Sequence, residues 1–502
     1  MYLGIDLGSS SIKLTLLDGD KGPLASVAYP ENEMQINAPK PGWAEQDPEV
    51  WWAIFLAAFN KLEHKTKATS DIKAIGISYQ MHGLVLVDDN QEVLRPSIIW
   101  CDSRAVEIGH DAYNKIGAEY CLSHLLNSPG NFTASKLAWV KQNEPDIYQK
   151  IHKFMLPGDY LAMRLSGQIT TTETGLSEGV FWDFKDKAIN VKLLDHYGIS
   201  SKLIPDTVPA IGANISIQPK VAAELGLSKD TQITYRAGDQ PNNAFSLNVL
   251  KPGEVAATAG TSGVIYAVTD KNVYDQKSRI NTFLHVNNER NKPRNGILII
   301  NSGTGILYSW LKKILNTGGE NLDYELMNEL AAQTDPGANG VHFFPFGNGA
   351  ERVLENKILG AQLLNIDFNR HSTKHIVRAG LEGIVYALNI GFEMLSDMNV
   401  PAKTIRVGHA NLFLSETFRQ IFTNVTAAKL ELYETDGSVG AARGAALGSG
   451  YFKTPDKAFE NLRLIDTIEP DPKLVKEYRQ LYEQWKEKLD KFDETFITNP
   501  AV

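Results

Sequence analysis

The sequence predicts an α/β protein made of two copies of one domain, and three observations predict it. The 502 residues exceed the roughly 250–300 at which single cores stop growing. Strand-like and helix-like patterns alternate along the chain, the order that gives sheets covered by helices. Finally, "EVAATAGTSGVIYAV" (254–268) lies over "YLGIDLGSSSIKLTL" (2–16) without a gap. Gly260 falls on Gly8, Thr261 on Ser9, Ser262 on Ser10 and Thr258 on Asp6. Each stretch reads strand, small-residue turn, strand, and each opens one half of the chain. Pro252 and Gly253 place the boundary near 248–253, so the expected domains are 1–248 and 249–502.

The elements follow in order. "YLGID" and "IKLTLL", joined by "LGSSS", turn through "DGDKG" into "PLASVAY", an antiparallel meander. A helix comes next, with Asp47 as N-cap, Pro48 in its first position and Glu49 at its positive end. Trp51, Ile54, Phe55, Ala58, Phe59 and Leu62 share its apolar face. Trp51 and Trp52 therefore read as core and surface of a helix, not as a stacking platform. "IKAIGISY" is a buried strand, followed by "QMHG" and the strand "LVLVDD". "TQITYRAG" is a strand that ends at Gly238, and "QPNNAFSLNVL" begins a helix. Asp239 stands between them, either as a helix cap or as a carboxylate at the mouth of a cleft. The tail "KLVKEYRQLYEQWKEKLDKF" is a charged amphipathic helix, expected on the outer surface.

Composition narrows the function classes. Hydrophobic residues make up 43% and charged residues 22%, as in soluble globular proteins. Lys+Arg 50 against Asp+Glu 59, a net charge of −9, favours neither nucleic acid nor an anionic membrane. No apolar run approaches the ~20 residues of a membrane span, and "MYLGIDLG" reads as a strand, not a signal peptide. Cys101 and Cys121 are too few for a metal site or a disulfide framework. A reducing, cytoplasmic setting is expected.

The chemistry gathers in the turns. "LGSSS" and "AGTSG" offer backbone N–H groups and hydroxyls to an anion with little side-chain bulk; each alone also reads as an ordinary hairpin. Two facing each other would hold a polyphosphate from both sides, with Lys13 adding a cation. The Gly-Lys-Ser/Thr ending of a Walker A loop is absent. Asp6 lies in an apolar strand, where a charge is costly unless paired. It either caps the turn's N–H groups or meets Mg²⁺ on a nucleotide.

"GIDLGSSSIK", "WAEQDPEVWW", "QMHG", "IIWCDSR", "GDQ", "AGTSG" and "VRAGLEGIVYAL" together resemble the motif series of the FGGY carbohydrate kinases, in order from residue 2 to about 450. "WAEQDP" with "QMHG" is most similar to the members that phosphorylate D-xylulose. The resemblance implies two actin/hexokinase/Hsp70-like (ribonuclease H-like) ATPase domains around a deep cleft. It makes Asp239 the catalytic base and sets Asp6, with Asp239, beside Mg²⁺ and the transferred phosphoryl. Gln80, Met81 and His82 fall on the sugar side with Gln240. Trp100, Asp102 and Arg104 line the same side, more as support than in direct contact. Gly8, Ser9, Ser10 and Lys13 belong with the phosphates, as do Gly260, Thr261, Ser262 and Gly263. Gly303 and Thr304 fall on the next nucleotide-facing turn, and Gly408, His409, Ala410 and Asn411, with 435–447, on segments around the adenine.

The chain also departs from the pattern. His409 and Asn411 stand in a loop that is usually Gly-Gly-Gly-Ala, and an imidazole there would narrow the base pocket. Gln240 stands where xylulose-phosphorylating members commonly carry Asn, and "NGAERVLEN" lacks the common Glu-Arg-Thr-Pro form. Glu351 and Glu382 have no partner visible in the sequence. The implied activity is transfer of the γ-phosphoryl of ATP to a sugar hydroxyl, D-xylulose before ribulose or glycerol, with Mg²⁺ as cofactor. A non-catalytic sugar sensor on the same fold is the rival from another class. It would need a DNA-binding helix-turn-helix, which does not precede Met1, and it would not need Asp239. The implied partners are the sugar and ATP, and a homodimer is compatible with the sequence.

Overall fold

Near-continuous apolar runs such as "YLGIDL" and "AIGISY" suit strands buried on both faces, and both lie at the centre of a sheet. The computed structural model describes residues 1–316 and 322–497; 317–321 and 498–502, both within the expected second domain, lie outside the described residues. Among the described residues the first large sheet has six strands. Their order is Ile211–Ser216, Gln232–Gly238, Ala74–Tyr79, Tyr2–Leu7, Ile12–Asp18 and Gly22–Tyr29. The last three form the antiparallel meander. Tyr2–Leu7, Ala74–Tyr79 and Gln232–Gly238 run parallel.

The second large sheet repeats this plan with seven strands. Asn281–Leu284, Asn295–Asn301, Gly263–Thr269 and Val255–Ala259 are antiparallel neighbours. Thr404–Gly408 and Lys429–Tyr433 continue in parallel, and Leu464–Ile468 closes the edge. The aligned hairpins, 2–18 and 255–269, thus occupy equivalent places. The plans differ at both edges: Asn281–Leu284 is an added strand at one, and at the other Ile211–Ser216 precedes its neighbour in the chain, whereas Leu464–Ile468 follows its own.

The helix Pro48–Thr66 forms as its caps require: the Asp47 side chain accepts the Glu49 N–H, and Trp51, Trp52, Phe55, Ala58, Phe59 and Leu62 are buried. Trp52 is core, not surface. The tail helix Pro472–Ile497 is more than an outer cover. Tyr478, Tyr482, Trp485 and Leu489 bury one face in the second core, and the Trp485 indole N–H donates to the Phe343 carbonyl at 3.0 Å. Glu382 belongs to this packing. It accepts from Arg378 at 2.7 Å, the Gly337 amide at 3.0 Å and the Tyr478 hydroxyl at 3.2 Å. Among the described residues no helix is long and apolar enough to cross a membrane.

One helix departs from the division of the sequence into halves. Gly437–Gly448 follows a strand of the second sheet, yet it packs across Tyr2–Leu7, Ala74–Tyr79 and Gln232–Gly238 of the first. Glycine makes the approach possible. A Cβ at Gly4 would lie within 3.0 Å of the Ser438 carbonyl oxygen, and one at Gly76 within 3.0 Å of that of Ala441. Gly76→Ala should therefore cost about 1–3 kcal/mol, because the obstacle is a backbone carbonyl and not a flexible side chain. The melting temperature should fall; an unchanged value would mean that the helix can lift off the sheet freely.

Candidate active site

Parallel strands deliver their following residues to one edge, and ligands of such sheets collect there. Asp6 is opposite Ser78, and Leu7 and Gly238 are both opposite Tyr79. The Gly8 turn, Gln80–Met81–His82 and Asp239 therefore emerge side by side. Asp239 opens the helix Asp239–Ser246, and Gly238 holds the N-cap place. The helix-cap reading of Asp239 is thereby corrected: it is the first helical residue, at the positive end of the helix. Burial pushes its carboxyl up to about 7, assisted by the charge of Asp6 and opposed by hydrogen bonds from Gln240 and from its own amide. Asp6 accepts the Ser78 hydroxyl at 2.7 Å. Burial raises it to about 6, the Ser78 bond opposes this, and the charge of Asp436 adds to it.

Each small-residue turn is held by its carbonyls. Ser9 O accepts the Gln46 amide at 2.7 Å and Ser10 O the Met34 N–H at 2.7 Å. Gly260 O and Thr261 O accept the N–H groups of Gly305 and Ile306 at 2.8 and 3.1 Å. In a trans peptide the next N–H points the opposite way, so the amides of Ser10, Ser11, Thr261 and Ser262 are directed away from these partners. Lys13 is engaged: its Nζ lies 2.6 Å from Asp436 Oδ2. The cation expected beside the phosphates is thus paired with Asp436. Asp436 caps the helix Gly437–Gly448 through the Val439 N–H. Gly437 leaves room for Asp6, as a Cβ there would lie within 3.0 Å of Asp6 Oδ2. Asp436 and Gly437 therefore sit beside Lys13 and Asp6.

Two cavities share Ala259 and Asn411. One, about 170 Å³, runs between Asn243, Ser246 and Leu247 of the first half and Thr258, Gly408 and Asp436. The other, about 550 Å³, lies beyond Gly260 and Thr261, with walls from Gly305, Ile306, Tyr308, Tyr324, Asn328 and Leu412. Gly303 and Thr304, expected to face the nucleotide, are buried behind this wall, and their successors Gly305 and Ile306 line it. Gly263 is likewise buried. His409 is exposed, bonds through its backbone to Tyr433 O and lines neither cavity. Its imidazole therefore forms no part of either cavity wall, although its neighbours Gly408 and Ala410 line the smaller one.

On the sugar side, the Gln80 amide donates to Gln46 Oε1 at 3.0 Å, while Gln80 Oε1 is buried without a partner among the described residues. Gln46 also accepts the Trp51 indole at 3.1 Å, so "WAEQDP" braces both the phosphate turn and Gln80. His82 Nδ1 lies 3.0 Å from the Glu178 carbonyl. A carbonyl can only accept, so Nδ1 carries the proton. Burial, helped by Lys136, lowers the ring to about 3, which keeps it neutral and leaves Nε2 as an acceptor for a hydroxyl. Asp102 is fully buried, and both of its oxygens are taken by Arg104 and the Ala44 amide. With both oxygens engaged, Asp102 serves as support and not as a sugar ligand.

Three residues escaped the sequence reading. Glu351, with no visible partner, accepts the Ser302 amide at 3.0 Å and anchors the turn before Gly305. Glu178 is buried beside His82, its carboxyl held well above the usual range by burial, with the charge of Asp239 adding to this. Lys136 lies fully buried under the same turn. Only Lys136 carries a sequence signal, a lysine on the apolar face of "FTASKLAWV".

These features define a two-domain phosphotransferase, with a phosphate-type turn from each half and carboxylates at the edge of the first sheet. The chain belongs to the FGGY family of carbohydrate kinases: residues 1–246 match its N-terminal domain and residues 255–451 its C-terminal domain. ATP is the co-substrate of that family. The chain is 29% identical to the xylulose kinase of Escherichia coli over 92% of each chain. It is also 29% identical to that of Bacillus subtilis, over 96% of this chain and 95% of the other. The fold matches the crystal structure of xylulose kinase from Rhodospirillum rubrum with a TM-score of 0.87 at 24% identity, covering 99% of both chains. Plasmodium falciparum glycerol kinase with ADP matches at 0.86 and 22% identity, over 97% of both.

Two outcomes follow from this geometry. His409→Gly should leave the Michaelis constant for ATP within about twofold, whereas Ile306→Ala, on the wall, should raise it about threefold. In chelator, Asp239→Asn should melt higher than wild type at pH 8. Between the unfolded carboxyl value of about 4 and about 7, the folded protein holds a proton that the unfolded chain has released, so wild-type stability falls as pH rises. The gap should close below about pH 4; a gap independent of pH would remove Asp239 as its source.

Proposed function

We propose that this kinase transfers the γ-phosphoryl of ATP to the 5-hydroxyl of D-xylulose. The observation that carries the sugar assignment is the 29% identity to curated xylulose kinases over nearly the full length of both chains. The fold alone does not choose, since a glycerol kinase matches it almost equally well. Gln240 favours the second reading, a kinase for ribulose or a polyol.

Asp239 accepts the proton of the attacking hydroxyl. A carboxyl raised to about 7 is tuned for that task near neutral pH, and general base catalysis typically contributes 10²–10⁴-fold. Ser10, Ser11, Thr261 and Ser262 present amides to phosphate oxygens, the placement and neutralisation that phosphoryl transfer requires. His82 Nε2 accepts a hydrogen bond from a sugar hydroxyl and orients it. Asp6 and Asp239 suit a hard divalent cation. Their carboxyls are buried together, and Gly437 places no side chain against Asp6 Oδ2. When Mg²⁺ is bound there with the nucleotide, it neutralises charge on the phosphoryl group.

ADP release measured over pentuloses, hexuloses and polyols tests the assignment. D-Xylulose should give the highest kcat/KM; a tenfold preference for ribulose or glycerol, about 1.4 kcal/mol, would overturn the sugar and leave the reaction class. Asp239→Asn should lower turnover by about two orders of magnitude or more, with sugar affinity within a few-fold. Near-normal turnover would exclude it as the base.

A further inference from the structure

His82 has φ of 61°, a left-handed conformation that costs a non-glycine residue energy unless its surroundings impose it. Both of its peptide groups are gripped. Its N–H faces Glu178 Oε1 at 3.4 Å, and its carbonyl accepts Lys136 Nζ at 2.8 Å. The same ammonium donates to the Ile99 carbonyl at 2.9 Å, next to the turn that carries Trp100, Asp102 and Arg104. Lys136 lies on the helix Thr133–Asn143 and is fully buried. The preceding Asn131 adds a second strut, from its side-chain amide to the Asp102 carbonyl. A buried ammonium whose short bonds go to carbonyls instead of a carboxylate is expensive to keep. Burial presses the ammonium toward its neutral form, Asp102 supports its charge and Arg104 opposes it.

We infer that Lys136 is a positioning residue of the sugar site. It ties the turn after Ala74–Tyr79 to the turn after Ser97–Ile98 and so fixes the His82 ring with Nε2 toward the sugar. The inference rests on the reading that the sugar lies on the His82 side of the cleft. The ring is packed edge-on against Phe132, with centroids 4.9 Å apart, and tilted against Phe283 at 5.3 Å. Those contacts bound its movement without choosing its tautomer. The choice comes from the Glu178 carbonyl, and the backbone of His82 must stay in place for Nδ1 to reach it.

The test uses Lys136→Met, which keeps length and bulk but donates nothing, and Lys136→Gln, which keeps donors without charge. With Lys136→Met the Michaelis constant for the sugar should rise about tenfold, while that for ATP stays within about twofold. The Gln variant should fall between and serves if the Met variant does not fold. A second readout needs no substrate. In protein labelled with ¹⁵N-histidine, the His82 signals, assigned by their loss in His82→Gln, should show a neutral ring protonated at Nδ1 in wild type. They should move toward a mixture of tautomers in either Lys136 variant. Unchanged His82 signals would overturn the inference, as would sugar and ATP constants that worsen together with a fall in melting temperature. A wild-type enzyme that phosphorylates no sugar in the panel would defeat the proposed function instead, and the His82 signals would still decide the role of Lys136.

Discussion

The close contact between the helix Gly437–Gly448 and the first sheet is the constraint on which the site depends. Gly4 and Gly76 strip side chains from the sheet where the helix backbone crosses. Polar bonds then fix its register. Thr234 donates to Ala445 O at 2.8 Å, Asn242 to Gly437 O at 2.8 Å, and Thr15 shares a hydrogen bond with Ser438 at 2.7 Å. The helix grows from a strand of the second sheet and rests on the first, so it sets one half against the other. Its N-terminal residues, Asp436 and Gly437, are brought to Asp6 and Lys13 as a consequence.

Charge in the cleft follows from that placement. Asp6 feels the charge of Asp436 and adds its own to Asp239, with Lys13 drawn to Asp436. The nearest cation therefore neutralises the cap of the helix, and the two carboxylates at the end of the first sheet keep an excess of negative charge. Such a site stores an affinity for protons or for a divalent cation. The sugar side is built differently. His82, Glu178 and Lys136 are buried, and burial drives each toward its neutral form. Recognition there rests on directed hydrogen bonds and not on net charge.

Much of this was legible in the sequence. The aligned hairpins 2–16 and 254–268 announced the duplication, because a strand–turn–strand pattern is local and needs only its own residues. Asp47, Pro48 and Glu49 marked their helix for the same reason. Asp6 and Asp239 stood out because a carboxylate in an apolar run or at a strand-to-helix handover breaks the expected pattern. Other residues failed where a correct motif met an unseen neighbour. The pairing of Lys13 could not be read because Asp436 is 423 positions away. The second partner of Asp102 was equally hidden, because the Ala44 amide that occupies its Oδ2 is 58 positions away.

By itself, then, the sequence determined the α/β class, the repeated turns, the start of the helix at Pro48 and the identity of the two exceptional carboxylates. These depend on propensity, periodicity and capping, which act over a few residues. Only the tertiary structure decided that 437–448 belongs against the first sheet, that His409 lies outside the pocket walls, and that Glu351, Glu178 and Lys136 brace the site. Those outcomes depend on which groups meet after burial. A hydrogen bond between residues hundreds of positions apart leaves no local pattern, because the residue types at its ends are equally common on a solvated surface.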